Sequence, residues 1–318
     1  MEQFYIGIDL GGTSVRIAAC EKGKIGIPNI RKENFIRRER VIEEVEENIC
    51  ELINSECEKM SRQGKVLGGI GIALASLFDR KTGRIVNWPN NKKWNNFELM
   101  KFLNKRYHVP VCFEDDANAA ALGEQLAGVG KGYTDLIYVT ISTGVGCGII
   151  SNDTLLKGFH GWAGEIGHIK ISGKDKLCHC GAKGCLQTVA SGPALTRAYL
   201  ENTKGNVNSR LELEDIALLA LKGDKIAKSV FEEAGKYIGE VLANLIIILD
   251  VPVVILGGGV VRTGELIIKP IRKKIEESLQ EKRKAVLIKT FLNDKNGVIG
   301  ALALIDKEIN GKYTIIGN

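Results

Sequence analysis

The chain has 318 residues, 44% of them hydrophobic and 26% charged, with six prolines and a formal net charge of +6. That apolar fraction sustains a folded core, and the lack of any low-complexity tract excludes a disordered or fibrous chain. Lys and Arg are interspersed with Asp and Glu, as in Arg37-Arg38-Glu39-Arg40 followed by Glu43-Glu44, which reads as solvated helix faces and excludes a basic stripe for nucleic acid.

The first residues, MEQFYIGIDLGG, carry neither the basic start nor the apolar stretch of a signal peptide. Tyr5 to Leu10, Val15 to Cys20 and Lys24 to Ile27 predict a small antiparallel meander around a Gly-Gly turn. Apolar residues at helical spacing (Ile36, Val41, Ile42, Val45, Ile49, Leu52, Ile53) predict a helix over 36–60, and Val66 to Leu74 a buried strand. A short helix over 97–106, a strand over 109–113 and a helix over 116–126 follow, the last with capping groups in Asp116-Ala117-Asn118. A second round begins with strands 136–142 and 146–151 around Thr143-Gly144-Val145. After a Cys-rich loop come helical stretches from Pro193, from Leu213 and over 225–249. A continuous apolar strand over 252–256, a triple-glycine turn, a helix over 265–279 and a strand near 286–291 complete the pattern. The apolar run ending at Leu249 is too short to span a bilayer. The expectation is a cytoplasmic protein with no membrane association.

Two strand-turn-strand units, each followed by helices and further strands, predict a duplicated α/β architecture with a cleft between its halves. A chain longer than about 250–300 residues also favours two cores over one.

Five segments carry chemistry. Asp9-Leu10-Gly11-Gly12-Thr13-Ser14 ends an apolar strand. Its glycines admit backbone amides to a phosphate, Thr13 adds a hydroxyl, and Asp9 suits Mg²⁺ directly or through water; the same pattern also serves an ordinary hairpin turn. Ser142-Thr143-Gly144-Val145-Gly146 repeats that logic in the second half. Gly257-Gly258-Gly259, after a buried strand, suits an adenosine or phosphate against bare backbone but lacks the spacing of a dinucleotide fingerprint. Glu114-Asp115-Asp116-Ala117-Asn118 joins a strand to a helix. There a carboxylate can take a proton from a substrate hydroxyl, and one of the adjacent aspartates faces substrate; helix capping by Asp115 or Asp116 is the competing use.

The most specific segment is Glu165-Ile166-Gly167-His168 with Cys178-His179-Cys180-Gly181-Ala182-Lys183-Gly184-Cys185. Of the eight cysteines, only these three cluster. With His168 they form a Cys₃His set suited to tetrahedral Zn²⁺, closed to water and therefore structural. His179 is an alternative ligand, worse placed between two cysteines.

Asp9-Leu10-Gly11-Gly12-Thr13 resembles the phosphate loop of the sugar kinase, Hsp70 and actin superfamily. Glu165-x-Gly-His168 with Cys-x-Cys-Gly-x-x-Gly-Cys resembles the signature of ROK proteins, and the similarity continues through Leu256-Gly257-Gly258-Gly259 to Ile299-Gly300-Ala301. The resemblance implies an actin-like (ribonuclease H-like) ATPase fold. Its small N-terminal α/β domain would take 1–117 plus about 300–318, and a larger domain with the zinc loop 118–299. It implies an ATP-dependent sugar kinase using Mg²⁺ and a structural Zn²⁺. Repressors of this family place a winged-helix domain before the phosphate loop, which here begins almost at residue 1, so a kinase is the expected member.

Carried over by position, Asp116 matches the catalytic base acting on a sugar hydroxyl, usually the 6-hydroxyl. Asp115, Glu165, His168, Gln187, Ser76 and Asn90 match sugar contacts. Asp9, Gly11, Gly12, Thr13, Thr143, Gly144 and Gly257 to Gly259 match the nucleotide site. Expected partners are a sugar and ATP, no nucleic acid, and further copies of the chain as dimer or tetramer. Three positions depart from the family: Asp115 where Asn is common, Gln187 where Glu is usual, and Leu74-Ala75-Ser76 for a Pro-Gly type of turn. They alter the hydrogen-bond code for the sugar, so glucose, another hexose and an N-acetylated amino sugar all remain open, as does a sugar sensor without catalysis.

Overall fold

The computed structural model describes all residues except 12–13, 34–41, 80–81, 89–93, 204–210, 280–282 and 312–318. The chain opens with β1 (Gln3–Leu10), β2 (Val15–Glu21) and β3 (Arg31–Glu33), then α1 (Ile42–Ser61) and β4 (Val66–Leu74). A short ribbon of β5 (Leu77–Phe78) and β6 (Ile85–Asn87) precedes α2 (Leu99–Tyr107), β7 (Val111–Asp115) and α3 (Asp116–Ala127). The second round contains β8 (Leu136–Ile141), β9 (Val145–Ser151), β10 (Thr154–Leu155), α4 (Gln187–Ala190), α5 (Gly192–Asn202), α6 (Leu213–Leu221), α7 (Lys225–Leu249), β11 (Val253–Gly257), α8 (Glu265–Ser278) and β12 (Val286–Lys289). The last element among the described residues is α9 (Asn296–Asn310).

Two compact units result: Met1–Gly132 with Asp294–Asn318, and Tyr133–Asn293. Their sheets share one topology. In the first the order is β3-β2-β1-β4-β7, in the second β10-β9-β8-β11-β12. Each has an antiparallel hairpin (β1 with β2, β8 with β9) whose first strand runs parallel to the next strand in space. The duplication expected from the element pattern is thus present in the pairing of strands, without a repeated sequence.

In the first unit the strand alternation decides which helix covers which face. Phe4, Ile6, Ile8 and Leu10 of β1, with Ile70, Ile72 and Leu74 of β4, are buried with Val45, Ile49, Leu52 and Ile53 of α1. The opposite face is lined by small residues because α9 lies directly on it. A Cβ on Gly7 would stand 2.6 Å from the Val298 carbonyl oxygen, and one on Gly71 would overlap the Ala301 carbonyl. The same helix meets α3 through Gly300, where a Cβ would overlap the Ala119 carbonyl, and through Gly123 against Asn296. Backbone-to-backbone packing of this closeness leaves no room for any side chain.

That packing corrects the expected domain limits. The first unit runs to Gly132 and resumes at Asp294; it does not end at 117 and resume near 300. The reason is that α3 is one continuous helix seated on α9. A second correction concerns the meander: its third strand is Arg31–Glu33, paired with Val15, Arg16 and Ile17 of β2, while Lys24–Ile27 is irregular with a bend at Gly26 and Ile27. The edge strand is charged and lacks alternation, so nothing in its pattern marks it. The first turns of the expected helix over 36–60 lie outside the described residues. In the second unit, Ile137, Val139 and Ile141 of β8 and Val254 and Leu256 of β11 share a core with α5, α6, α7 and α8. Among the described residues no helix is long and apolar enough to cross a membrane.

Candidate active site

Because β1, β4 and β7 run parallel, their carboxyl ends come together: Leu10 pairs with Leu74, and Leu74 with Asp115. Open α/β sheets bind ligands at that end. Asp9 lies on the face covered by α9, where a Cβ on Gly297 would stand 2.9 Å from its Cγ. Directly across the hairpin is Arg16, whose Nη1 donates to Asp9 Oδ2 at 3.1 Å. Nη2 of the same guanidinium lies 3.1 Å from Asp294 Oδ2. Burial pushes the Asp9 carboxyl up to about 6; Arg16 pulls against this, and the negative charges of Asp116 and Asp294 add to it. Two carboxylates, Asp9 and Asp294, meet on one guanidinium, and with the charge of Asp116 acting on Asp9 they make an oxygen-rich corner that fits a hard divalent cation such as Mg²⁺.

Asp115 and Asp116 divide the two uses the sequence left open. Asp115 is the N-cap of α3, its Oδ1 accepting the Asn118 backbone N–H at 2.9 Å and its Oδ2 the Asn118 side-chain amide. Asp116, the first helical residue, is exposed. The protein mass around it nevertheless withholds water on most sides, and this desolvation raises its carboxyl above the usual range despite the backbone N–H groups of Ala117 and Asp116. A raised carboxyl open to solvent at a helix start is equipped to accept a proton. Nearby, Ser76 follows the end of β4, and its Oγ is buried with no hydrogen-bond partner among the described residues.

In the second unit the corresponding strand ends carry glycine. The Ser142 N–H donates to the Gly144 carbonyl at 2.9 Å and the Gly192 N–H to the Ser142 carbonyl at 2.8 Å, so the turn 142–146 is held to the start of α5. Gly257 pairs with Thr140. Gly258 has φ +92°, and a Cβ there would overlap the Ile141 carbonyl. Thr143, Gly144 and Gly257–Gly259 therefore sit at one end of this sheet, and a Cβ on Gly257 or Gly258 would run into Tyr138 or the Ile141 carbonyl.

The Cys₃His set assembles as its spacing predicts. One donor atom from each of His168, Cys178, Cys180 and Cys185 lies within 4.8 Å of the others. Cys178 Sγ is 3.7 Å from His168 Nδ1, and Cys180 Sγ 3.7 Å from Cys185 Sγ. A tetrahedral zinc with bonds of about 2.3 Å sets thiolate sulfurs about 3.8 Å apart, so the residues fit the metal. The turn is made by Gly181 N–H to the Cys178 carbonyl (2.9 Å) and Cys178 N–H to the Ala182 carbonyl (2.8 Å), with Gly181 and Gly184 at φ +86° and +72°. With Nδ1 turned to sulfur, His168 Nε2 points to Glu165, 3.7 Å from its Oε2. Burial, with the charges of His179 and Lys170, holds His168 below the usual imidazole range, a shift that favours the neutral form a metal needs. His179 stays outside the donor cluster, its Nδ1 3.3 Å from Gln187 Nε2.

Gln187 is buried, and its Nε2 donates to Cys178 Sγ at 3.1 Å. Asp9 and Asp116 are brought together with Gly11, Ser76 and Asp115 in the first unit, and Thr143, Gly144, Glu165, His168, Gln187 and the cysteines in the second. Gly12, Thr13 and Asn90 lie outside the described residues. Sequence reasoning missed Arg16, Asp294 and Lys170, whose Nζ donates to Cys185 Sγ at 2.8 Å. For Arg16 a signal existed: in the hairpin of β1 and β2 it is the residue opposite Asp9.

Residues 5–308 match the model of the ROK family. A glucokinase of Thermotoga maritima is 29% identical over 96% of this chain and 98% of its own. A xylose repressor of Caldicellulosiruptor bescii is 30% identical over 81% of this chain and 67% of its own. Among solved structures, a ROK family glucokinase from Streptomyces griseus in complex with glucose and AMPPNP aligns with a TM-score of 0.75 and 33% identity, covering 95% of this chain and 98% of that one.

Proposed function

The chain belongs to the ROK family, and from that premise we propose that it transfers the γ-phosphate of ATP to the 6-hydroxyl of a hexose, glucose or a close relative, with Asp116 as general base. At the coarser level it is an ATP-dependent sugar kinase. The observation that carries the finer reading is the exposed, raised carboxyl of Asp116 beside the buried carboxylate of Asp9.

In this reading the sugar hydroxyl gives its proton to Asp116 as its oxygen attacks the γ-phosphorus, and ADP leaves with the bridging electron pair. Phosphoryl transfer demands positioning and charge neutralisation more than covalent chemistry. Asp9 would hold Mg²⁺, directly or through water, with Arg16 keeping its carboxylate in place; the bound ion would neutralise charge on the transferring phosphoryl group. The backbone of Gly11, Gly144 and Gly257–Gly259 admits the nucleotide closely, and the Thr143 hydroxyl adds a donor. Glu165 and His168 Nε2 bind sugar hydroxyls, and Ser76 Oγ and Asp115 complete the recognition. A structural zinc on His168, Cys178, Cys180 and Cys185 would fix the His168 ring.

An ATP-coupled assay across hexoses, with Mg²⁺ and Zn²⁺ supplied, tests the reading, and absence of turnover with every sugar rejects it in favour of a sensor. A second reading, a kinase for an N-acetylated amino sugar, draws on Asp115 and Gln187 standing where the family commonly has Asn and Glu. Ratios of kcat/KM across the same panel separate the two.

A further inference from the structure

The Cys₃His cluster carries two donors outside its ligand set, on different elements. A zinc held by three thiolates and a neutral imidazole has a net charge of about −1 by formal counting. Sulfurs so charged are hydrogen-bond acceptors only, and what donates to them sets how firmly they hold the metal. Lys170 stands in a bridge opposite Cys185, and its ammonium lies 2.8 Å from Cys185 Sγ. Cys185 is fully buried, so this contact is where the cation of an otherwise exposed lysine meets the buried thiolate. Gln187 reaches Cys178 Sγ at 3.1 Å from the other side.

The amide orientation of Gln187 follows from chemistry: a metal-bound thiolate cannot donate, so the nitrogen, not the oxygen, faces Cys178. One N–H goes to Cys178 and the other to His179 Nδ1, which commits both donors. Oε1 then faces the glycines: a Cβ on Gly144 would stand 3.1 Å from it, and one on Gly167 3.4 Å. Gln187 thus occupies the space between a metal-binding thiolate, the turn 142–146 and the segment that carries His168. A carboxylate at 187 could not do this. It has no donor, and it would set one negative charge against another.

We propose that Lys170 and Gln187 are positioning residues of the metal centre, each donating an N–H···S hydrogen bond to one thiolate, and that Gln187 thereby fixes the centre against the turn 142–146. This rests on the reading of the cluster as a zinc site.

The test uses the full chain purified without chelator, with K170M, K170R, Q187E and Q187M beside the parent. Zinc content is measured first, then the rate of zinc transfer to 4-(2-pyridylazo)resorcinol, and the thiolate-to-cobalt charge-transfer band after Co²⁺ replacement. Outer partners of metal ligands typically contribute 10–100-fold in affinity, so K170M, Q187E and Q187M are expected to release zinc about tenfold faster or more. Their cobalt bands shift to longer wavelength, because a sulfur without its donor gives up charge more easily. K170R, which keeps a donor, stays near the parent. Thermal melting of the zinc-loaded proteins identifies any variant that fails to fold, and the spectral shift is then read on the remaining one. Parent-like release with unmoved cobalt bands in the lysine and glutamine variants overturns the proposal while leaving the zinc site intact. A parent that binds no zinc overturns both.

Discussion

Arg16 and Asp9 face each other across the β1–β2 hairpin at 3.1 Å, and the same guanidinium holds Asp294, the residue at which the chain re-enters the first unit, at an equal distance. One cation therefore balances the carboxylate proposed for Mg²⁺ and anchors the approach to α9.

Removing that cation should alter metal use in a pH-dependent way. Arg16 lowers the Asp9 carboxyl from where burial alone would put it, so Arg16→Ala raises it beyond about 6. Asp9 must be ionised to hold Mg²⁺. The variant's kcat/KM for Mg·ATP should consequently fall more at pH 6 than at pH 8, read from pH profiles at fixed sugar. An equal loss at both values would separate Arg16 from Asp9 ionisation.

Asp9 itself should show a conflict between stability and function. Its carboxyl is raised from an ordinary 3.8 to about 6 in the folded chain, so folding is favoured by the protonated form. That advantage is complete below about pH 4 and is lost as pH rises through about 6, a difference of at most about 3 kcal/mol. Asp9→Asn, measured without added magnesium, should therefore melt higher than the parent at pH 7.5. The gap should close toward pH 4. Its kinase activity should be lost.

Asp116→Asn should reduce kcat by about 10²–10⁴-fold, the usual share of a general base, with sugar affinity retained in calorimetric titration. In the parent, kcat/KM should decline as pH falls through the raised Asp116 value, since the protonated acid cannot accept the hydroxyl's proton. Retention of that acid limb in the variant would assign it to another group.

The glycine seam under α9 should be intolerant. Gly71→Ala places a methyl into the Ala301 carbonyl and should destabilise by about 1–3 kcal/mol or more, seen as a lower urea midpoint. Gly26→Ala, with nothing within 4 Å of the new methyl, should stay within about 0.5 kcal/mol of the parent.

Much of this molecule was determined by the sequence alone. Helix Lys225–Leu249 and strand Val66–Leu74 stand at the limits their apolar spacing predicts, because a long periodic face can be buried in only one way. The Cys₃His cluster was equally legible, since C-x-C-x₄-C is a geometry written in local spacing. What the sequence left open depended on contacts between distant segments. Helix α9 carries two glycines and is buried on nearly every side, so it has no polar face to mark it as a helix. The choice between Asp115 as cap and Asp116 as exposed carboxylate was made by the turn from β7 into α3. Arg16 found Asp294, and Lys170 and Gln187 found their thiolates, only once the chain had folded, because local pattern specifies faces and turns while charge pairing is settled by which faces meet.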